Sequence, residues 1–115
     1  MQYLLLIYGN ESAPLAAPKD ETGQRHAAYM AYAEAMKKAG ALVGGNRLRP
    51  AAEATTVRAP GGKKSVLDGP FAETKEQLGG YFLIEAPDLD AALSWAARCP
   101  GAQHGAVEVR PIWTM

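Results

Sequence analysis

The chain has 115 residues, and its twelve basic side chains are balanced by twelve acidic ones. This length predicts one domain, residues 1–115, with a single modest core. Because the net charge is zero, no overall field attracts the chain to nucleic acid or to an anionic membrane. The apolar run at residues 3–8 is too short for a membrane span or a signal segment. We therefore predict a cytoplasmic protein that binds neither nucleic acid nor membranes.

The cysteine and histidine content restricts the possible chemistry. Cys99 is the only cysteine, which excludes an internal disulfide and a zinc site built from several cysteines. It lies beside Pro100 at the end of a predicted helix, so we interpret it as a small buried side chain. His104 lies in a glycine-flanked loop, and two histidines in all argue against a catalytic metal site. The glycine pairs match no nucleotide-binding fingerprint, so no cofactor is indicated.

The first half of the chain predicts a strand, a loop and a helix. Residues 1–8 are aliphatic without interruption, which favours a central strand, and the Gly- and Pro-containing stretch 9–19 predicts a surface loop. A helical pattern begins near residue 20 and ends with two lysines before Gly40. Helical spacing places His26 at the rim of the buried face, where we expect it to be half covered. The side that faces the sheet comprises Arg25, Tyr29, Tyr32, Ala33 and Met36.

The middle of the chain predicts a strand and then a hairpin. Residues 41–48 read as a strand in which Gly44 and Gly45 indicate a bulge or a close backbone approach. Residues 54–59 and 64–67 flank a Pro-Gly-Gly turn and predict a β-hairpin. Behind it, the sequence Asp-Gly-Pro at 68–70 predicts a sharp turn in which Gly69 has a positive φ.

The remainder predicts one more turn, two strands and a helix. Residues 73–78 are polar helix formers that we expect to form a helical turn, ended by the glycine pair at 79–80 and followed by a strand at 81–85. Asp88 is placed to cap a second helix that Pro100 ends. Residues 106–112 alternate apolar and polar side chains and predict the last strand. Two helices cover one face of such a sheet, so a second copy is expected to cover the other.

Several of these motifs, taken together and in this order, resemble the YCII-related proteins, in particular the branch named for its Asp-Gly-Pro-Phe motif. The motif stands at residues 68–71 and is followed by a Leu-Gly-Gly-Tyr segment at 78–81, the acidic-then-alanine helix and a Val-Glu-Val-Arg-Pro segment at 107–111. The order and spacing extend over roughly the whole chain. The resemblance implies an α+β, ferredoxin-like two-layer sandwich of the dimeric α/β-barrel type, which forms a homodimer.

The candidate catalytic residues are His26 and Asp68, because an imidazole oriented by a carboxylate transfers protons near neutral pH. The resemblance implies a histidine early in the first helix and an aspartate as an active-site pair, and His26 occupies that helical position. Asp68 has the alternative role of holding the turn. Arg25 is a candidate to bind an anionic group of a ligand, and Phe71 and Tyr81 are candidates for apolar pocket walls. Ordinary roles as a salt bridge and as core side chains remain open for all three.

Two functions follow from these residues. The first is a cofactor-independent enzyme of the lyase or isomerase type, acting by proton transfer on a small cyclic or aromatic acid. In that reading His26 is the general base or acid, Asp68 orients it and Arg25 lies near the substrate. The second is a non-catalytic ligand-binding or interaction domain. The resemblance implies relatives that are fused to sigma factors, which suits a regulatory role.

Overall fold

The computed structural model describes residues 1–11 and 19–114 of the chain. The elements, in chain order, are β1 (Gln2–Gly9), α1 (Lys19–Lys38), β2 (Leu42–Arg47), β3 (Thr55–Arg58), β4 (Ser65–Asp68), β5 (Gln77–Glu85), α2 (Leu89–Arg98) and β6 (Ala106–Pro111). Short 3-10 helices occupy Ala51–Glu53, Pro60–Gly62 and Pro100–Gln103. The predicted loop at residues 9–19 falls mostly outside the described residues.

The fold is the predicted α+β, ferredoxin-like sandwich. Four strands form an antiparallel sheet in the order β2-β5-β1-β6, and β3 and β4 form a separate hairpin. The predicted sequence of strand, helix, strand, hairpin, strand, helix and strand is confirmed. The hairpin is thus an insertion between two strands that are neighbours in the sheet.

The core lies between one face of the sheet and the two helices. Tyr3, Leu5 and Ile84 are buried on this face, and Tyr3 is paired with Ile84. Tyr32 of α1 packs edge-on against Phe82 at 5.5 Å between ring centroids, and its hydroxyl donates to the carbonyl of Trp95 in α2. Both helices therefore cover the same face. We call the other side the open face; strand alternation places Leu4, Leu6, Tyr8, Tyr81 and Leu83 on it.

The predicted ends of the two helices are confirmed. Gly40 has a φ of 72°, and the N–H of Ala41 donates to the carbonyl of Met36, which closes the C-terminus of α1. The Asp88 side chain accepts a hydrogen bond from the N–H of Ala91 at 2.9 Å and caps α2. No helix among residues 1–11 and 19–114 is long and apolar enough to cross a membrane.

The prediction of a helical turn at residues 73–78 is wrong. This segment bends, and β5 begins at Gln77, because the Gln77 side chain donates to the carbonyl of Thr74 and the next residues pair with β1. The glycine pair lies inside the strand instead of ending a helix. A Cβ on Gly80 would lie 3.0 Å from the carbonyl oxygen of Asn46, so glycine permits a close approach to β2. Tertiary pairing thus overrides the local helix preference.

The turn that follows the hairpin has the predicted geometry. Gly69 has a φ of 111°, its N–H donates to the carbonyl of Ala54 at 2.6 Å, and its carbonyl accepts from the Thr56 hydroxyl at 2.9 Å. The turn is therefore tied to the start of β3.

Gly69→Ala is expected to lower the free energy of unfolding by about 1 kcal/mol or more, because a Cβ disfavours this positive φ. Chemical denaturation followed by circular dichroism measures the loss. Gly44→Ala is the matched control, since Gly44 has no positive φ and a Cβ there would have no neighbouring heavy atom within 4 Å. Equal losses in the two variants would remove the conformational explanation.

Candidate functional site

The candidate site lies at one end of the sheet, where β1 and β2 finish and β5 begins. Gly9 is opposite Gln77, and Arg47 is opposite Gly80, so these three strand ends meet. The other end is marked by the hydrogen bond from Glu85 N–H to the carbonyl of Ala41, directly after α1. The C-terminus of α1 therefore lies at the Glu85 end. Because α1 has 20 residues and spans about 30 Å, its first turns lie at the Gly9 end.

Close packing holds α1 against this end of the sheet. A Cβ on Gly101 would lie 2.6 Å from the Tyr29 hydroxyl oxygen and 2.7 Å from Ile7 Cγ2. Because glycine has no Cβ, Tyr29 of α1 and Ile7 of β1 can both pack closely against residue 101. Arg25 and His26 lie one helical turn before Tyr29. Arg25 is half-buried, as expected for the sheet-facing side, whereas His26 is exposed instead of half covered. Its imidazole is accessible to a ligand.

A pocket of about 310 Å³ opens beside the segment that follows the hairpin. It is lined by Glu11, Ala51, Ala52, Pro70, Ala72, Glu73, Thr74 and Gln77. Hydrogen bonds fix its walls: Glu11 Oε1 accepts from the N–H of Ala51 at 2.7 Å, and the N–H of Glu11 donates to Gln77 Oε1 at 3.1 Å. The pocket therefore joins the end of β1, the turn after β2 and the start of β5.

Asp68 lies near the margin of this pocket. It is the last residue of β4, is exposed and pairs with Thr55. Pro70, two residues later, lines the pocket. The hydrogen bonds of the turn are made by the backbone of Gly69 and the Thr56 hydroxyl, and Asp68 is exposed to solvent. The meeting of Asp68 with His26 stays a prediction.

The two candidate pocket walls lie elsewhere. Phe71 is 74% exposed and packs against Arg58, whose guanidinium carbon is 5.0 Å from the ring centroid. Tyr81 pairs with Leu6 on the open face, and its hydroxyl accepts a hydrogen bond from Asn46 Nδ2 at 3.0 Å. The sheet therefore separates Tyr81 from α1.

The pocket walls include residues that the sequence did not single out. The N–H of Glu11 donates to the Gln77 side chain across segments that are far apart in the chain, and that side chain donates locally to the carbonyl of Thr74. No pattern of residue spacing in the sequence predicts such a pocket, because its walls are irregular loop segments whose positions depend on the sheet. Recognising that β5 begins at Gln77 would have indicated this wall of the pocket. The prediction of a helical turn at residues 73–78 instead placed Gln77 outside the strand.

A buried polar cluster supports the helix side of the site. Burial raises the pKa of Tyr29 to about 12, and the neighbouring Cys99 sulfur, to which Tyr29 is hydrogen-bonded, adds to the shift. Burial also raises the pKa of Tyr32 and of the Cys99 thiol. Cys99 is buried and free, as its position beside Pro100 predicted. This cluster favours a structural role, since its groups are neutral at physiological pH.

Stability is expected to fall at alkaline pH. The folded-state pKa values of Tyr29 and Cys99 are raised above their ordinary values of 10.0 and 9.0, so the unfolded chain releases these protons first. Their contribution is complete below about pH 9 and is lost as the pH rises toward about 12. Thermal midpoints measured from pH 8 to pH 11 test this. Tyr29→Phe removes one of these groups and should make the decline shallower, by an amount on the order of 1 kcal/mol given its partial exposure. An unchanged slope contradicts the assignment.

Within residues 1–11 and 19–114, no group of three or more His, Cys, Asp or Glu side chains is arranged to hold a metal ion.

Comparisons with known proteins agree with the fold. A family model described as the YCII-related domain matches residues 1–115. An uncharacterized protein of Rhizobium meliloti (strain 1021) is 40% identical over 114 residues, covering 97% of this chain and 92% of that protein. The solved structure of 5-chloro-2-hydroxyhydroquinone dehydrochlorinase from Burkholderia phenoliruptrix, in complex with 2,5-dihydroxybenzoquinone, superimposes with a TM-score of 0.56. That match has 19% identity, covers 99% of this chain and 94% of the other, and therefore shows a shared fold.

Proposed function

Because the chain belongs to the YCII-related family, we propose that it is a cofactor-independent enzyme of the lyase or isomerase type. Its substrate is a small cyclic or aromatic acid, and the reaction is a proton transfer. His26 is the general base or acid, Asp68 orients the imidazole, and Arg25 binds the acidic group of the substrate. Phe71 and Tyr81 are not part of this proposal, because Phe71 packs against Arg58 and Tyr81 lies on the open face, across the sheet from α1.

One observation carries the proposal: the first turns of α1 and the segment after Asp68 lie at the same end of the sheet, and that segment lines a pocket of about 310 Å³. His26 is exposed in the first half of α1, so a ligand can reach its imidazole. A site of this size accommodates a single small ring. The dehydrochlorinase of the same fold supports the substrate class, since its structure holds the small cyclic molecule 2,5-dihydroxybenzoquinone.

Hydrogen–deuterium exchange tests the reaction type whatever the product is. The protein is incubated in D₂O with a panel of small cyclic and aromatic acids, and proton NMR follows the loss of signal at carbons next to carbonyl or carboxyl groups. Enzyme-dependent exchange supports a proton-transfer enzyme. Chemical-shift changes in the protein without any exchange or turnover support the alternative, a non-catalytic ligand-binding or regulatory domain of the kind associated with sigma factors. A panel that produces neither contradicts a small-molecule site for these acids.

The proposed assembly is a homodimer in which the open faces of two copies pack together. Leu4, Leu6 and Leu83 form an apolar centre that is only half-buried in one copy. Both helices cover the other side of the sheet, so these leucines have no intramolecular cover from the described helices. Packing two such faces removes the leucines from water and forms a closed, two-fold assembly.

Light scattering at micromolar concentration is expected to give about twice the monomer mass of 12.2 kDa. Leu6→Asp should shift the protein toward the monomer, because the substitution places a charge in the apolar centre. Leu93→Asp is the control, since Leu93 is 47% exposed on the helix layer and away from the open face. A wild-type protein that stays monomeric at this concentration contradicts the assembly.

A further inference from the structure

The proposed reaction gives no role to Arg47, although this residue lies at the same end of the sheet as the candidate site. Arg47 is the last residue of β2 and pairs with Gly80, which pairs in turn with Ile7 of β1. Asn46 is hydrogen-bonded to Tyr81 on the open face, so strand alternation places Arg47 on the other side of the sheet. That side is the one that α1 and α2 cover.

A short row of residues connects Arg47 to Tyr29 of α1. Tyr29 and Ile7 both pack against Gly101. Gly80 stands between Ile7 and Arg47 in the row across the sheet and has no side chain to separate them. The positive charge of Arg47 acts on the Tyr29 hydroxyl: burial raises the pKa of that group, and Arg47 opposes the rise. The Arg47 guanidinium therefore lies near the first half of α1.

Arg47 is also connected to the pocket of about 310 Å³. Gln77, which lines this pocket, pairs with Gly9, two residues after Ile7 on β1, and so belongs to the same side of the sheet as Arg47. The N–H of Leu48 donates to the carbonyl of Gly79, so the backbone after Arg47 continues along β5 toward Gln77. The distance along β5 from the residue opposite Arg47 to Gln77 is about 10 Å.

The charge of the pocket requires a cation from outside its walls if the ligand is an acid. Its charged lining residues are Glu11 and Glu73, and none of the eight described residues that line it is basic. Two carboxylates repel an acidic ligand unless a cation faces its acidic group. Arg47 is exposed, and within residues 1–11 and 19–114 no acidic side chain pairs with it. Its charge is therefore available to a ligand.

We infer that Arg47 is the residue that makes this site selective for a carboxylate, binding the acidic group of the substrate together with Arg25. This inference rests on the acid-binding site of the proposed function and specifies how the substrate lies in it. The carboxylate points toward β2 and α1, away from Glu11 and Glu73, and the ring lies toward the alanine and proline walls of the pocket. A guanidinium binds a carboxylate by two parallel, charge-assisted hydrogen bonds, which a neutral ligand of the same shape does not offer.

Binding of benzoate and of benzamide to the full-length protein tests the inference, because these two probes have nearly the same shape and differ in charge. Calorimetric titration at low salt should show tighter binding of benzoate by the wild type. Arg47→Met is expected to weaken benzoate binding about tenfold or more and to change benzamide binding by less than about twofold. Arg47→Lys keeps the charge without the forked geometry, so its affinity for benzoate should lie between the two. Arg49→Met is the matched control, since Arg49 is exposed in the same segment and is already paired with Glu53 at 2.9 Å.

The exchange assay in D₂O separates this inference from the proposed function. With an acid that the wild type exchanges, Arg47→Met should raise the concentration that gives half-maximal exchange more than it lowers the maximal rate. Exchange together with an unchanged preference for benzoate in Arg47→Met overturns the role of Arg47 and leaves the enzyme standing. Loss of the preference in a protein that exchanges no acid supports the role of Arg47 and contradicts the enzyme. A wild type without a preference for benzoate overturns the inference. Circular dichroism confirms that every variant is folded.

Discussion

Replacing Leu5 with alanine is expected to lower the free energy of unfolding by about 2–5 kcal/mol, because it leaves a cavity that the neighbouring elements cannot fill. Leu5 is 0% exposed and lies in the central strand β1, between β5 and β6, under both helices. Its pairing with Phe82 and Val109 fixes the backbone on both sides. Chemical denaturation followed by far-ultraviolet circular dichroism measures the change.

Leu93→Ala is the control for the cavity, since it removes the same atoms from a helical side chain that is 47% exposed. Its loss should be smaller by about 2 kcal/mol or more. Similar losses in the two variants would show that the core between the sheet and the helices contributes less than its burial indicates.

The second large effect is on catalysis. His26→Gln is expected to lower the enzyme-dependent exchange rate by a factor of about 100 to 10,000, the usual contribution of a positioned general acid or base. The side chain is exposed, so its replacement should not alter the free energy of unfolding by more than about 0.5 kcal/mol. The measurement is the exchange assay in D₂O, with stability checked in parallel.

His104→Gln is the matched control, because His104 is also exposed and lies in the turn after Pro100–Gln103. Asp68→Asn should reduce exchange less than His26→Gln if its carboxylate only orients the imidazole. If His26→Gln and His104→Gln both retain wild-type exchange, His26 is not the catalytic group. If Asp68→Asn lowers stability without altering exchange, Asp68 is a turn residue alone.

The site was only partly predictable from the sequence. The sequence correctly predicted that His26 lies in the first half of α1, because the helical pattern begins near residue 20. The sequence did not predict that His26 is exposed. The width of the buried face of a helix depends on how closely the helix packs on the sheet. Phe71 and Tyr81 are near in sequence to the turn, yet one lies on the hairpin side against Arg58 and the other on the open face. Alternation along a strand decides the face, and the register of β5 was unknown.

The sequence by itself determined the order of the elements, the Asp88 cap, the left-handed Gly40 and the positive φ of Gly69, and the side of α1 that faces the core. These features depend on local backbone energetics and on periodicity, which a few neighbouring residues control. Tertiary structure alone decided that residues 77–80 continue a strand. There the backbone of β5 pairs with β1 and β2 at once, and these hydrogen bonds outweigh a weak helical preference. It also decided which distant loops meet as pocket walls, because long-range pairing sets where each strand ends.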